Sequence, residues 1–268
     1  MRALLAVDRF ATRVHTLEAT LRDEILWACI PPEQRDAMTS AIYARDRGYV
    51  AGGARFEARL FEWEARLLEH PRVPRRGRVL IGGAGGGREL RVMCERGYEV
   101  TAFEPCEDLQ RAAHAVAASY AGARVLRGSY RDLDAAARGE GALASLSNDA
   151  PYALVIAGWR SLSHVIEEEE RVAMFRSLAR IAKGAPILAS FLSHRGPRAE
   201  GRAQRALRRT LARLGAPAVA PEGASFIPSA GFAVALARED IERLAAACDR
   251  ELAVCETEGE GVAFFVPR

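Results

Sequence analysis

Residues 78–90 read RVLIGGAGGGREL, and this stretch decides the fold. An apolar run enters a segment with five glycines in the six positions 82–87, and a helix-like pattern follows. This order predicts a buried strand, a tight turn and the start of a helix. Glycine has no Cβ, so it adopts positive φ at little steric cost and lets a ligand approach the backbone. The turn is therefore the predicted place for a nucleotide-like ligand.

Short apolar runs alternate with helical segments after this turn. Gly97 is placed to end one helix, and acidic residues 167–170 begin another whose last turn carries Arg180 and Lys183, as the helix dipole favours. Alternation of this kind predicts an α/β fold with a doubly wound, mostly parallel, Rossmann-like sheet. The predicted strands are Arg78–Ile81, Tyr98–Phe103, Arg124–Arg127, Leu154–Ala157 and Pro186–Leu192.

The C-terminal part completes this sheet. A strand over Ala233–Leu236 and a helix over Glu239–Cys248 precede two apolar runs, Leu252–Cys255 and Val262–Val266. The polar, glycine-containing residues 256–261 between these runs predict a hairpin loop. We therefore expect an antiparallel C-terminal strand, and we assign residues 77–268 to one sheet-containing domain.

Residues 1–76 predict an N-terminal helical cap. Phe10, Val14, Leu17 and Leu21 recur at helical spacing, and Pro31-Pro32 interrupts the pattern before a second short helix. After the Gly52-Gly53 break, one further helix is predicted. The residues that mark this third helix are Phe56, Leu60, Trp63 and Leu67, and Pro71 and Pro74 end it.

Residues 195–228 interrupt the strand–helix alternation and form a predicted insertion. Six arginines lie on a helix that ends near Gly215, and a loop rich in Pro, Gly and Ala follows. Two interpretations remain open. The helix presents a solvated basic face, or it is a lid whose arginines meet an anionic substrate. The arginines are Arg198, Arg202, Arg205, Arg208, Arg209 and Arg213.

Composition excludes several classes of protein. The formal net charge of the 268 residues is only +3, which does not favour nucleic acid as a partner. The five cysteines form no C-x-x-C pair, so we expect reduced, mostly buried thiols, with no disulfide framework and no metal site. No run reaches the ~18 apolar residues of a membrane span, and the first residues lack a signal-peptide pattern. We expect a cytoplasmic protein.

Glu104 is the first candidate binding side chain. It directly follows the predicted second strand, seventeen positions after Gly87. A carboxylate there accepts hydrogen bonds from ribose hydroxyls when a nucleotide lies along the preceding glycine turn. The turn itself suits either a pyrophosphate on the helix N-terminus or an uncharged-linker nucleoside such as S-adenosylmethionine.

Together these motifs resemble those of the class I S-adenosylmethionine-dependent methyltransferases. Residues 83–87 (GAGGG) match their G-x-G-x-G turn, and Glu104 falls on their ribose-binding acid. Residues 152–157 resemble their fourth strand, and residues 163–192 their next helix and strand. The resemblance covers roughly residues 77–192. It implies S-adenosylmethionine as cofactor.

Three acids that are common in this family are missing. Ile81 or Gly82 stands where the first strand often ends in an acid, and Ala153 replaces the acid of the fourth strand. Ser129, with Tyr130 beside it, occupies the position that usually offers an acid to the adenine amine. The ribose acid, Glu104, is kept.

The resemblance also implies a set of cofactor-binding residues. Two tyrosines beside a glycine-containing loop of the N-terminal cap would close over the cofactor, as such segments do in similar enzymes. The implied cofactor-binding residues are Gly82, Gly83, Ala84, Gly85, Gly87, Glu104, Ser129, Tyr130, Ala157, Tyr43 and Tyr49.

The loop after the fourth strand is the predicted catalytic region, because ligands of open α/β sheets bind beyond the carboxyl ends of the strands. Trp159 would stack on the substrate or wall the methyl site. His164 is the candidate general base, or else a helix-start residue that bonds to the backbone. Arg160 orients a carboxylate or is a surface arginine. The implied reaction is methyl transfer to oxygen or nitrogen of a small-molecule or peptide acceptor.

Two alternatives to a methyltransferase stay open. An NAD(P)-binding Rossmann oxidoreductase would use Glu104 equally well, but its G-x-G-x-x-G motif fails at Arg88, and only a looser version from Gly82 to Gly87 survives. The missing acids also allow a non-catalytic scaffold that keeps the methyltransferase fold without turnover.

Overall fold

The computed structural model describes residues 2–194, 202–215, 220–221 and 223–268. Its N-terminal part is helical. Pro32 occupies the first position of the second helix, where its missing N–H leaves no hydrogen bond unmade. The helices are α1 (Arg2–Cys29), α2 (Pro32–Arg45), α3 (Ala54–Glu57) and α4 (Glu62–Leu68), with a 3-10 turn at Arg47–Tyr49.

The remaining residues form a sheet with helices on both faces. The first half of this part contains β1 (Arg78–Gly82), α5 (Arg88–Glu95), β2 (Glu99–Glu104), α6 (Glu107–Ala117), β3 (Ala123–Arg127), α7 (Leu133–Ala137), α8 (Ser145–Asp149) and β4 (Leu154–Ala157). The second half contains α9 (Glu168–Ala182), β5 (Ile187–Ser193), α10 (Arg202–Arg213), β6 (Ala224–Ile227), β7 (Gly231–Leu236), α11 (Arg238–Ala247), β8 (Arg250–Glu256) and β9 (Glu260–Pro267).

The strand pairing confirms the predicted fold class. Strands β3, β2, β1, β4 and β5 lie side by side in that order, all parallel. The C-terminal strand β9 runs antiparallel along β5, from Ile187↔Phe265 to Leu192↔Glu260, and forms a hairpin with β8. The end of β5 also pairs in parallel with β7, at Leu192↔Ala235 and Ser193↔Leu236.

The core lies on both faces of the central strands. Leu80 and Val155 belong to the cluster on one face, whereas Val79, Ile81 and Leu154 belong to the cluster on the other. All five are completely buried. Alternation with a period of two is what a strand buried on both sides requires. The carboxyl ends of β1, β2 and β4 are thereby fixed side by side at one edge of the sheet.

The N-terminal helices differ from the prediction in two places. The predicted third helix is two short helices, α3 and α4, because the chain bends between them, where Arg59 has a left-handed φ of 59°. Leu60 lies in that break. On α1, Val14 and Leu17 are 49% and 46% exposed, so the predicted apolar face is only partly covered.

The segment 195–228 contains a strand that the sequence did not indicate. Strand β6 lies within the predicted loop and pairs antiparallel with β7. Helix α10 packs on α1, and Arg208 Nε donates to Glu24 Oε2 at 2.7 Å. Arg198 falls outside the described residues. The lid function of this segment stays a prediction.

The expectation of mostly buried thiols is wrong. All five cysteines are free, but only Cys106 is buried; Cys29 is exposed and the other three are half-buried. Within the part of the chain that the structure describes, no helix is both long and apolar enough to cross a membrane.

Candidate functional site

A cavity of about 360 Å³ opens at the carboxyl ends of the parallel strands. Residues of α2 and α9 both line it. Nine of the predicted site residues line it together. They are Tyr43, Tyr49, Gly83, Gly85, Glu104, Ser129, Tyr130, Trp159 and His164.

The glycine turn is tightly packed at Gly83 but open toward the cavity at Gly85. A Cβ on Gly83 would lie 2.8 Å from Ser161 Cβ, so this position tolerates no side chain. On Gly85, by contrast, the nearest described atom to a Cβ would be Tyr49 Cδ1, at 4.0 Å. Both glycines have left-handed φ values, 64° and 55°. The turn therefore leaves room beside bare backbone at Gly85.

Glu104 faces this turn from the end of β2. Its Oε2 accepts a hydrogen bond from the Gly85 N–H at 2.8 Å, and its Oε1 accepts one from the Cys106 N–H at 2.9 Å. Burial raises the pKa of Glu104 to about 7, although both amide bonds act in the opposite direction. Each carboxylate oxygen has a further lone pair with which to accept a bond from a ligand.

The turn after β3 holds Ser129 and Tyr130. The Ser129 hydroxyl accepts from the Arg131 N–H at 3.2 Å and so caps the local 3-10 turn, and it donates to Asp132 at 3.0 Å. The Tyr130 hydroxyl donates to the Gly82 carbonyl at 2.9 Å and lies 2.6 Å from Ser161 Oγ. Tyr130 thus ties the glycine turn to the loop after β4.

Trp159 and Arg160 begin the loop after β4. The Trp159 indole N–H donates to Glu260 at 3.1 Å, and its ring lies 4.8 Å from Phe61 and 6.2 Å from Tyr49 between centroids. Arg160 binds the same carboxylate through two nitrogens, at 2.7 and 2.6 Å. The Arg160 charge is therefore already paired with β9.

Both ring nitrogens of His164 have partners. Nδ1 lies 2.9 Å from the Phe232 carbonyl oxygen, and Nε2 lies 2.8 Å from the Tyr43 hydroxyl. Because a carbonyl can only accept, Nδ1 carries the proton and Nε2 accepts from Tyr43. Burial lowers the pKa of His164, which keeps the imidazole neutral.

The segment after α2 lies directly on the glycine turn. A Cβ on Gly86 would come within 2.0 Å of the Tyr49 carbonyl oxygen, so only glycine permits this approach. The Tyr43 and Tyr49 rings meet edge to face with centroids 5.1 Å apart. The N-terminal helices are thereby joined to the strand ends.

Solved structures with this architecture were found by comparison. A SAM-dependent methyltransferase from Methanosarcina mazei has a TM-score of 0.52 and 16% identity, covering 77% of this chain and 96% of its own. The chain has the fold of the S-adenosylmethionine-dependent methyltransferases. Magnesium protoporphyrin IX methyltransferase from Synechocystis PCC 6803, with bound SAM, has a TM-score of 0.55 and 16% identity, covering 87% and 95%. The PH0226 protein from Pyrococcus horikoshii OT3 reaches 0.59 and 21%, covering 85% and 99%.

At the level of sequence the similarity is weak. No protein-family model matches the chain, and no curated protein matches it in sequence. The methyltransferase fold is therefore established by the structure and not by sequence similarity.

Four predicted binding residues lie beside the cavity without lining it. Gly82 ends β1, where its carbonyl accepts bonds from Tyr130 and from the Gly158 N–H. Ala84 and Ala157 are buried in the core, 2% and 1% exposed. Gly87 packs on α6, since its Cβ would lie 3.1 Å from Ala113 Cα. These residues pack within or against the glycine turn, and a direct contact of any of them with the cofactor stays a prediction.

Two groups of charged residues were missed by sequence reasoning. Arg88 is buried and binds Glu64 through two contacts of 2.6 Å and Glu89 through a third. At the cavity mouth, Arg131 lies 2.7 Å from Asp36 and 3.4 Å from Glu170. Both groups join segments far apart in the chain, so no local pattern could reveal them.

Proposed function

We propose that this protein transfers a methyl group from S-adenosylmethionine to oxygen or nitrogen of a small-molecule or peptide acceptor. The observation that carries the proposal is the buried Glu104 carboxylate, hydrogen-bonded to the Gly85 N–H beside the open space at Gly85 in the cavity. Ribose hydroxyls need an acceptor, and an adenosyl group needs bare backbone beside it. This pair of features supplies both.

The residues around the cavity fit S-adenosylmethionine. Glu104 and the glycine turn would hold the nucleoside, and the Tyr49 and Trp159 rings would wall the sulfonium. When bound, the cofactor supplies an electrophilic methyl carbon. Ser129 and Tyr130 stand where an acid is common, so adenine contacts would come from hydroxyls and a ring here.

The volume of the cavity favours a small acceptor. Its volume of about 360 Å³ lies at the low end of the ~300–1,000 Å³ of small-molecule sites. One similar structure is named as a methyltransferase of magnesium protoporphyrin IX, which supports a small molecule as the acceptor. We further propose that residues 1–76 act as a cap, because Asp36, Thr39 and Tyr43 line the cavity.

Calorimetric titration with S-adenosylhomocysteine, S-adenosylmethionine and NAD(H) tests the proposal. We expect both adenosyl sulfur compounds to bind at micromolar or tighter Kd and NAD(H) to show no binding. At a hundredfold excess over Kd, linkage adds about 2.7 kcal/mol to the free energy of unfolding, which a thermal scan detects. Binding of NAD(H) alone would identify a dinucleotide enzyme instead.

A further inference from the structure

A hydrogen-bonded chain runs from the cavity into the β6–β7 hairpin. Tyr43 lines the cavity, its hydroxyl lies 2.8 Å from His164 Nε2, and His164 Nδ1 lies 2.9 Å from the Phe232 carbonyl. Phe232 is fixed in turn, because its N–H donates to Thr39 Oγ1 of α2 at 3.1 Å. The histidine can therefore neither rotate nor change its tautomer without breaking bonds.

Tyr43 stands between His164 and the glycine turn. Its ring meets the Tyr49 ring at 5.1 Å, and Tyr49 is the side chain nearest to the open space at Gly85. The accepting nitrogen of His164 is occupied by the Tyr43 hydroxyl. A proton from a molecule in the cavity consequently reaches the accepting nitrogen of His164 through the tyrosine oxygen.

We propose that Tyr43 contacts the methyl acceptor, that the acceptor is a hydroxyl compound, and that its proton passes through the Tyr43 hydroxyl to His164. This inference rests on the proposed methyl transfer. The acceptor O–H bond breaks and a bond to Tyr43 Oη forms, while the Tyr43 O–H bond breaks and a bond to His164 Nε2 forms. At the same time the acceptor oxygen bonds to the methyl carbon, and the carbon–sulfur bond breaks with its electrons on sulfur.

The electrostatics of the chain favour a hydroxyl over an ammonium. Burial lowers the pKa of His164 and raises that of Tyr43, so both stay neutral in the resting protein. A hydroxyl becomes strongly acidic as its oxygen is methylated, and a weak base then suffices. An alkylammonium must lose its proton before it can accept a methyl group. Its ordinary pKa of about 10.4 lies about four units above that of histidine, so the transfer of this proton to histidine is unfavourable by a factor of about 10⁴.

Few charged groups among the described residues surround the hydrogen-bonded series of Tyr43, His164 and Phe232. Asp36 of α2 acts on His164 and raises its pKa against burial. Tyr49 and Glu104 raise the pKa of Tyr43, and Arg160 lowers it. On the β7 side the partner is the Phe232 backbone carbonyl. The described surroundings therefore offer no carboxylate in contact with His164 that would replace Tyr43 as its partner.

Methyl-labelled S-adenosylmethionine and three acceptor probes test the acceptor class. Catechol and 3-phenylpropanol offer hydroxyls, and 3-phenylpropylamine is the matched amine. We expect label in at least one hydroxyl probe and none in the amine. Label in the amine alone overturns the proposal, and so does bound S-adenosylhomocysteine with no labelled hydroxyl probe. Failure to bind S-adenosylhomocysteine instead removes the methyltransferase function itself.

Variants of the two residues test the relay. Tyr43→Phe and His164→Ala should each lower turnover of the hydroxyl probe by about 10²-fold or more, within the usual range of acid–base catalysis. The double variant should lose no more than either single variant, because both belong to one path. Tyr152→Phe, which removes another buried hydroxyl bond, to the Leu146 carbonyl, should keep full turnover. Full turnover by Tyr43→Phe overturns the relay.

A measurement on the resting protein is independent of any acceptor. Histidine ¹⁵N spectra should show His164 neutral at pH 7, with hydrogen on Nδ1 and a hydrogen-bonded Nε2. Tyr43→Phe should shift the Nε2 resonance and leave affinity for S-adenosylhomocysteine within about threefold. A protonated His164 at pH 7, or hydrogen on Nε2, overturns the proposed path even if the His164 variant fails to fold.

Discussion

Gly85 turns left-handed at the edge of the cavity, with φ of 55° and open space where a Cβ would project. We predict that Gly85→Ala weakens binding of S-adenosylhomocysteine more than tenfold, because its methyl group would occupy the ligand's space. The matched control is Gly97→Ala. Gly97 has φ of 87° and no described atom within 4 Å of a Cβ.

Both variants place an L-residue in the left-handed region, at a cost of about 1–2 kcal/mol in stability. Urea unfolding should therefore show similar losses, while calorimetry should show weakened binding in the Gly85 variant alone. Equal affinity in the two variants would mean that no ligand lies against this turn.

Glu104 makes ligand affinity depend on pH. Its pKa of about 7 means that the carboxyl is mostly protonated at pH 6 and mostly ionised at pH 8. Ribose hydroxyls donate to the ionised form, so affinity should rise with pH. We predict about tenfold tighter binding of S-adenosylhomocysteine at pH 8 than at pH 6 in calorimetric titrations. Glu104→Gln should bind weakly and with little dependence on pH, and an equal pH dependence in that variant would assign the effect to another group.

Single residues were predictable where one local pattern decides their place. The glycine turn and Glu104 are positioned by the strands before them, and nine predicted site residues meet in one cavity. The partner of His164 was not predictable, since Tyr43 lies 121 residues away in the chain. Hydrogen bonds between side chains that are distant in the chain produce no periodic pattern in the sequence.

At the scale of elements, a buried ion cluster joins α4 to α5. Arg88 is 6% exposed, and Glu64 and Glu89 are 3% and 4% exposed. Burial raises the pKa of Glu64, against the opposing effect of Arg88. Glu64 also accepts from the Phe61 N–H at 2.7 Å, which fixes the start of α4. The cluster therefore sets how α4 packs against α5, the helix after the glycine turn.

We predict that Arg88→Ala lowers the free energy of unfolding by about 3–5 kcal/mol, because two buried carboxylates lose their counter-charge. Arg96→Ala, at the other end of α5, is the matched control. Its 3.1 Å ion pair with Glu69 is exposed and should contribute less than about 1 kcal/mol. Equilibrium urea unfolding measures both, and losses of equal size would contradict a structural role for the cluster.

Elements were predictable where the apolar period is regular. Strands β1 to β5 and helix α9 lie where the sequence placed them, to within a few residues. The prediction of a single third helix was wrong. Leu60 keeps the helical spacing, but the backbone bends at Arg59 and divides the helix in two. Strand β6 lies in a segment whose turn-forming residues predicted a loop, and it is held in place by its pairing with β7. In both cases tertiary contacts override local propensity.

On the scale of the whole molecule, the cavity is closed by parts that are remote in sequence. Thr39 of α2 accepts from the Phe232 N–H, across 193 residues. Helix α2 thus contacts the β6–β7 hairpin, and the segment after it lies on the glycine turn. The parallel sheet followed from the alternation of strands and helices. The closing of the N-terminal segment over the strand ends was expected only from the resemblance, because the contacts that dock it, such as that of Thr39 with Phe232, join residues far apart in sequence.

This closure predicts which backbone amides a ligand protects. Hydrogen exchange with and without S-adenosylhomocysteine should slow in the glycine turn and also in α2, since both line the same cavity. Helix α11 lines no part of it and should exchange at an unchanged rate. Protection of the turn without α2 would show that residues 1–76 do not act as a cap. Protection of α11 to the same degree would indicate general stabilisation by linkage and not closure of α2 over the ligand.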